Sequence, residues 1–334
     1  MKHYNIIILG GGIAGLYTAY KLQNTHKSIA LIEKNDRLGG RIYTYYNKSK
    51  GIQIEGGAGR INYKHKLFNK LLNDLHLQHT KVPIPNTFKY IDKHGNDLTD
   101  KKNKYIKKLY KFIIKYDIEK HKHSLNRCYL VEFLKLHFDK DYVRDLEDMF
   151  EYKSLMYKLN CYEFFKIFKK DYHKHNKYFI LKKGLGEVIR KLKSNTNIKY
   201  YLNTLIHTIT YKDSTYILNN SYSCDQLVCA LPKDALTQFS ILNKFKKELN
   251  SINEIPLARI YEKYKDKRHP VLQLTKTVTN NRLQYIIPIS DHVVMSSYSD
   301  IKNANYWKKK QIEGDLQSVL HTQLVQFIGQ PIDK

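Results

Sequence analysis

The sequence predicts an α/β fold of two domains, and three observations predict it. The apolar run Ile6-Ile7-Ile8-Leu9 leads directly into Gly10-Gly11-Gly12-Ile13-Ala14-Gly15. A second apolar stretch, Ser28 to Ile32, ends on Glu33, 18 residues beyond Gly15. Further on, a lysine-rich helix-like block is followed by several short strand-like runs. The first run reads as a buried parallel strand, and Ile13 to Leu22 as the helix it feeds. Glycines at such a turn let the backbone come close to a pyrophosphate held on the helix N-terminus. A carboxylate at Glu33 is placed to accept hydrogen bonds from ribose hydroxyls. Together these features define a dinucleotide site on a Rossmann-like domain.

After Glu33 the chain continues Lys34-Asn35-Asp36-Arg37-Leu38-Gly39-Gly40-Arg41-Ile42-Tyr43-Thr44. This stretch resembles the second fingerprint of the FAD-dependent amine oxidase superfamily, which also holds protoporphyrinogen oxidases and carotenoid desaturases. The resemblance implies that Gly39 and Gly40 open a further anion-binding turn and that Arg41 approaches the diphosphate. A guanidinium suits that role, because its fork can donate two hydrogen bonds to phosphate oxygens. The implied cofactor-binding set then comprises Gly10, Gly12, Ile13, Ala14, Gly15, Glu33, Lys34, Gly39, Gly40 and Arg41. A third block, Glu55-Gly56-Gly57-Ala58-Gly59-Arg60-Ile61, falls where the family places its flavin-contacting loop. By resemblance, Gly56, Gly57 and Ala58 would let the isoalloxazine ring lie against the backbone. In the L-amino-acid oxidase branch, an arginine at the position of Arg60 grips the substrate carboxylate. A salt bridge or a flavin-side structural contact is the alternative role. The next stretch, Asn62 to Leu75, reads as a helix, with Leu67, Phe68, Leu71, Leu72 and Leu75 at helical spacing.

Farther along, Leu181-Lys182-Lys183-Gly184-Leu185-Gly186-Glu187 resembles the family's glycine-containing turn into a helix, here Val188 to Leu192. Tyr200 to Ile209 alternates like a strand, with Ser214 to Leu218 as its hairpin partner. Leu205 falls near the position whose backbone meets the adenine in the family. Asp225 to Pro232 matches the strand-plus-proline that closes the nucleotide domain. The FAD-binding domain is therefore expected to be discontinuous, residues 1–80 plus 180–235. An α+β substrate domain, 81–179 plus 236–330, would carry a helical insert. Within it, Lys101 to Phe168 is helix-like, and Ile106, Leu109, Tyr110, Ile113 and Ile114 form an apolar stripe. Such a stripe could lie on a membrane surface; the core face of a helical cap is the preferred reading. Pro83 and Pro85 would break the chain before the cap. Strand-like runs follow at Arg259 to Tyr264, Val271 to Leu274, Leu283 to Ile289 and Val293 to Ser297.

At 334 residues the chain can bury a large core, and 42% hydrophobic residues with 28 tyrosines argue against disorder. The formal charge of +27 makes a nucleic-acid or anionic-membrane partner a legitimate hypothesis. The basic residues are spread along the chain, however, and Lys, Asn, Ile and Tyr all have AT-rich codons. The preferred reading is a codon bias, as in an AT-rich viral or parasite genome, with weak nonspecific polyanion contact as its by-product. Four cysteines (Cys128, Cys161, Cys224, Cys229) show no CxxC and no disulfide framework, so a reducing, cytoplasmic compartment is expected. The N-terminal apolar run is far below the ~7–15 residues of a signal h-region. No segment approaches the ~18 apolar residues of a membrane span. Two His-x-His pairs, His121/His123 and His173/His175, lie in lysine-rich stretches without acidic or cysteine partners, so no metal site is expected.

The resemblance implies hydride transfer from the α-carbon of an amine or amino acid to FAD, with oxygen as the acceptor. Family chains close with an acidic residue, a glycine-rich turn and a flavin-binding helix. This sequence reaches Lys334 about where that block should begin, so a truncated product or a short homologue with an incomplete flavin site is expected. The region carrying the covalent flavin cysteine of some relatives is also not met, which implies noncovalent FAD. Two alternatives stand beside the amine oxidase: a desaturase or protoporphyrinogen-oxidase type of reaction, and an inactive dinucleotide-fold binding protein.

Overall fold

The computed structural model describes residues 1–25, 27–85, 87–171 and 177–328. The chain divides into two compact units, Met1–Pro85 with Lys177–Glu254 and Asn86–Asn176 with Ile255–Lys334.

The first unit is built on a six-stranded sheet. Its strand order is Ile209–Lys212, Thr215–Leu218, Tyr222–Cys229, Lys2–Leu9, Ile29–Ile32 and Lys199–Tyr201. The central strand Lys2–Leu9 runs parallel to both neighbours, with Leu9 opposite Cys229 and Ile32. Continuous apolar runs are what a parallel strand covered on both faces requires. The period of two sorts them: Ile6, Ile8, Ile29 and Leu31 pack with Leu16, Ala19, Val188 and Leu192 on one face. Ile7, Leu9, Ala30 and Ile32 pack with Ile206, Ile209, Leu218 and Phe239 on the other.

Three expectations for this unit are corrected. The stretch Tyr200 to Ile209 is not one strand, because Lys199–Tyr201 and Ile209–Lys212 sit at opposite edges of the sheet. Between them the backbone turns through Asn203 at φ +50, and Asn203 and Thr204 donate to the carbonyls of Asn35 and Glu33 at 3.0 and 2.9 Å. Pro83 does not break the chain but lies inside the strand Lys81–Ile84. That strand is at the edge of a three-stranded sheet, where a missing N–H is tolerated. The helix expected from Asn62 begins only at Lys66 and runs to Asp74, since Ile61–Asn62 pairs with Phe179 and Tyr178. Leu71, Leu72 and Leu75 are buried, whereas Leu67 is 76% exposed.

The second unit combines a five-stranded sheet with helices. The sheet order is Leu257–Lys263, Val293–Asp300, Tyr285–Pro288, Thr277–Val278 and Lys89–Tyr90. Six helices between Thr99–Lys115 and Cys161–Asp171 enclose a core of Ile106, Leu109, Ile113, Leu130, Phe133 and Phe165. The apolar stripe is thus the core face at Ile106, Leu109 and Ile113, while Ile114 is exposed. Val271 to Leu274 is not a strand; Pro270–Gln273 forms a 3₁₀ turn, set by Pro270 at its start and by His269, whose ring nitrogen accepts the Val271 N–H. Two further helices, Ile301–Glu313 and Leu316–Ile328, follow where no element is assigned from the sequence. Gly314, at φ +81, ends the first in the left-handed conformation. Trp307 from that helix donates its indole N–H to the Arg282 carbonyl at 3.0 Å. His121 packs against Tyr116, and His173 and His175 lie outside the described residues. No helix among the described residues is long and apolar enough to cross a membrane.

Candidate dinucleotide site

The helix Ile13–Leu22 starts directly from the central strand, and its N-terminus is uncapped by any side chain. The N–H groups of a first helical turn have no intrahelical partners and carry the positive end of the helix dipole. Three glycines of the turn serve different purposes. A Cβ on Gly15 would stand 2.0 Å from the Gly10 carbonyl oxygen, so Gly15 lets the helix pack onto the strand. Gly10, at φ +108, brings the chain within 2.6 Å (from its virtual Cβ) of the Ala230 carbonyl. Gly12 has an extended backbone, φ −71 and ψ 179, and a Cβ there would meet nothing within 4 Å. That opening faces away from the protein's own packing, a cradle in which a ligand can approach the helix N-terminus.

Glu33, at the end of the second parallel strand, is buried beside this turn. One carboxylate oxygen accepts the Gly11 N–H at 2.7 Å, and the other accepts the Asn35 N–H and side-chain amide at 3.0 and 2.9 Å. An ionised carboxylate offers about four acceptor positions, so three internal donors leave one for a hydroxyl. Lys34 beside it is exposed. Leu205, also exposed, follows the Asn203–Thr204 segment bonded to the backbone of Glu33 and Asn35. Its carbonyl accepts the Asn219 side-chain amide at 2.8 Å.

The paired glycines lie across the first turn. Gly39 donates to the Gly11 carbonyl at 2.8 Å, and Gly39 and Gly40 both adopt positive φ, +106 and +54. A Cβ on Gly40 would come within 3.3 Å of Gly12 Cα. Arg37 pins this turn by donating to the Gly40 carbonyl at 3.0 Å and stacking on Tyr43 at 4.6 Å. Arg41, in contrast, is exposed, and its guanidinium makes no hydrogen bond or ion pair among the described residues. Its carbonyl accepts the Ala58 N–H at 3.0 Å, and a Cβ on Gly57 would stand 2.0 Å from the same oxygen. Gly57 is therefore required by the backbone beneath it, whereas Gly56 and Ala58 are exposed. Arg60 lies over the Tyr178 ring at 4.9 Å. Cys229, next to the Gly10 turn, is a neutral thiol, because burial pushes its pKa up.

Sequence reasoning missed the clamp that holds the next turn. Glu55 accepts the Leu185 N–H at 2.7 Å and the Thr44 hydroxyl at 2.8 Å, and Thr44 in turn accepts the Gly186 N–H at 2.8 Å. Gly184, at φ +72, lies against both side chains. The only signal was an acidic residue ahead of two glycines, which carries no pairing information. No role is assigned to Arg37 from the sequence.

An uncapped helix start, an unpaired guanidinium, two positive-φ glycines and a buried acceptor fit a dinucleotide with a ribose and a diphosphate. The model of the flavin-containing amine oxidoreductases matches residues 13–262, and the chain belongs to that family of enzymes. An L-amino-acid oxidase of Siganus canaliculatus is 41% identical over 64 residues, 19% of this chain and 12% of that protein. One from Mus musculus is 32% identical over 80 residues, 24% of this chain and 13% of that protein. The chain thus matches only about an eighth of these relatives' own length. Wild-type putrescine oxidase bound to putrescine superposes with a TM-score of 0.75 at 15% identity, covering 98% of this chain and 82% of the other. Identity that low carries the fold alone, and the fold it carries is the α/β one that the sequence predicts.

Proposed function

We propose that the first unit binds FAD noncovalently and that the chain oxidises the C–N bond of an amine or amino acid, with dioxygen as the acceptor. The observation that carries this reading is the open cradle at Gly12, packed beside Gly40 and followed one residue on by Arg41, whose side chain is exposed and unpaired among the described residues. When bound, FAD supplies the hydride acceptor. The N–H groups of Gly12, Ile13 and Ala14, together with Gly39, Gly40 and Arg41, would hold its diphosphate. Glu33 would use its remaining acceptor position for a ribose hydroxyl, with Lys34 beside it, and the backbone at Leu205 would border the adenine. Gly56, Gly57 and Ala58 would leave room for the flavin ring. Arg60, supported on Tyr178, orients a substrate carboxylate. No strong general base is required if the amine arrives neutral. The high positive charge adds weak, salt-sensitive polyanion contact.

The test is the visible spectrum of the purified chain after incubation with FAD and gel filtration, followed by peroxide assay with amino acids and simple amines. A retained flavin spectrum and peroxide formed with an amine support the reading. Retained flavin with no amine turnover, but bleaching by a hydrophobic donor, would assign the desaturase type of reaction instead. A colourless protein in both wild type and Arg41→Ala would reject flavin binding.

A further inference from the structure

Cys128 and Cys161 stand opposite each other in the helical part of the second unit. Tyr129 and Asn160 form an antiparallel bridge, so the next pair outward in that register is Cys128 with Cys161. The Cys161 N–H donates to the Cys128 carbonyl at 2.9 Å. Residues directly opposite in an antiparallel pair project their side chains on the same face. Cα atoms of directly opposite antiparallel residues lie about 4.5–5.5 Å apart, inside the ~4.4–6.8 Å that a disulfide spans. Each thiol perturbs the other's pKa, as near neighbours do. Access to them is unequal. Cys161 is fully buried in the helical core, while Cys128 is half-buried, with its sulfur 3.9 Å from the Leu125 carbonyl.

We propose that Cys128 and Cys161 form a modification site, at which hydrogen peroxide oxidises the pair to an intramolecular disulfide. The Cys128 sulfur attacks one peroxide oxygen; the S–O bond forms, the O–O bond breaks, and water leaves. The Cys161 sulfur then attacks Cys128 Sγ; the S–S bond forms, the S–O bond breaks, and the departing hydroxide takes the Cys161 proton as water. Two thiols lose two electrons and two protons, and one peroxide becomes two waters. Placement of the second sulfur beside the first replaces a bimolecular encounter. Burial raises both thiol pKa values, so thiolate is scarce at neutral pH and the reaction is slow, accelerating as pH rises. Peroxide is the expected co-product of the oxidase reading above, but the site depends only on these two residues and is tested with added peroxide. The cross-link would span the helices Leu130–His137, Lys140–Met149 and Lys153–Tyr157, restricting the unfolded chain and raising the melting temperature. Cys224 and Cys229 share one strand at an odd separation, so they face opposite sides and serve as internal controls.

The experiment treats the full chain with hydrogen peroxide at mildly alkaline pH, alkylates free thiols, and maps non-reduced peptides by mass spectrometry. The expected product joins the peptides of Cys128 and Cys161, is lighter by two hydrogens, reverts on reduction, and is absent in Cys128→Ser and Cys161→Ser. The oxidised wild type melts higher than the reduced form, and Cys128→Ser shows no such rise. Alkylation of both thiols, sulfinic acid at Cys128 beside a free Cys161, or only intermolecular disulfides would overturn the proposal. If Cys161→Ser does not fold, the half-buried Cys128→Ser carries the comparison.

Discussion

Gly12→Ala and Gly15→Ala separate what the glycine turn does for the fold from what it does for a ligand. At Gly12 the backbone is extended, φ −71 and ψ 179, a conformation any L-residue adopts, and the added methyl meets nothing within 4 Å. Alanine is a poorer N-cap than glycine, by roughly 0.5–1 kcal/mol. It also loses less chain entropy on folding, worth about 0.4–1 kcal/mol in the opposite direction. The stability of the FAD-free protein should therefore stay within about 0.5 kcal/mol of wild type. A methyl at the mouth of the cradle displaces a phosphate oxygen that must approach the first-turn N–H groups to about 2.9 Å. Two lost charge-assisted hydrogen bonds, each about 1.5–3 kcal/mol, amount to at least a hundredfold in affinity. Gly15→Ala is the opposite case. Its Cβ would stand 2.0 Å from the Gly10 oxygen and 3.3 Å from Ile8 Cγ2. The first of these is backbone against backbone, so no side chain can give way, and the cost should exceed the ~1–3 kcal/mol of ordinary overpacking. Thermal melts of the FAD-free proteins and FAD titrations decide the matter. The reasoning is refuted if Gly12→Ala keeps wild-type FAD affinity, or if it loses as much stability as Gly15→Ala.

Three other outcomes are expected. Burial lowers the His269 pKa below its ordinary 6.5, with His321 acting in the same direction and Glu262 and Asp266 against it. The folded state then holds the proton less well than the unfolded one, so His269 contributes stability above about pH 6.5 that declines as pH falls toward its folded pKa. His269→Asn keeps an acceptor for the Val271 N–H but cannot titrate, and should flatten the fall of melting temperature below that pH; an unchanged acid slope would remove His269 as its source. Lys102 is 1% exposed, paired with Glu151 and placed over Phe88 and Tyr90 at 4.5 and 5.3 Å. Lys102→Ala should cost about 3–5 kcal/mol in denaturant melts, whereas Lys102→Met with Glu151→Gln should recover most of it; equal losses would show that the attraction of the ion pair itself, and not the charge left unpaired, is responsible. Arg60→Ala should lower kcat/KM for an amino acid roughly tenfold or more beyond any loss for an amine without a carboxylate. Equal losses for both would leave Arg60 only its structural role on Tyr178.

Parts of the chain whose information is local were legible without a structure. The Gly10–Gly15 turn, its flanking strand and helix, and the Ile29–Ile32 strand ending on Glu33 follow from apolar runs, glycine and spacing along adjacent residues. The helical character of Thr99–Lys115 follows from a 3–4 spacing in the same way. The alternation of Tyr200 to Ile209, however, suggested a single strand, although its two ends occupy opposite edges of the sheet. Periodicity reports which side chains could share a face, and says nothing about which edge the backbone joins. The tertiary structure alone decided that Glu33 binds Gly11 and Asn35, that Arg37 pins the Gly39–Gly40 turn while the Arg41 side chain stays unpaired among the described residues, and that Arg60 rests on Tyr178. It alone joined Thr44 and Glu55 to Leu185 and Gly186, partners 130 and 142 residues away, and placed Cys128 opposite Cys161. Such contacts depend on where loops of very different length return, and no single-chain pattern of hydrophobicity or charge encodes that.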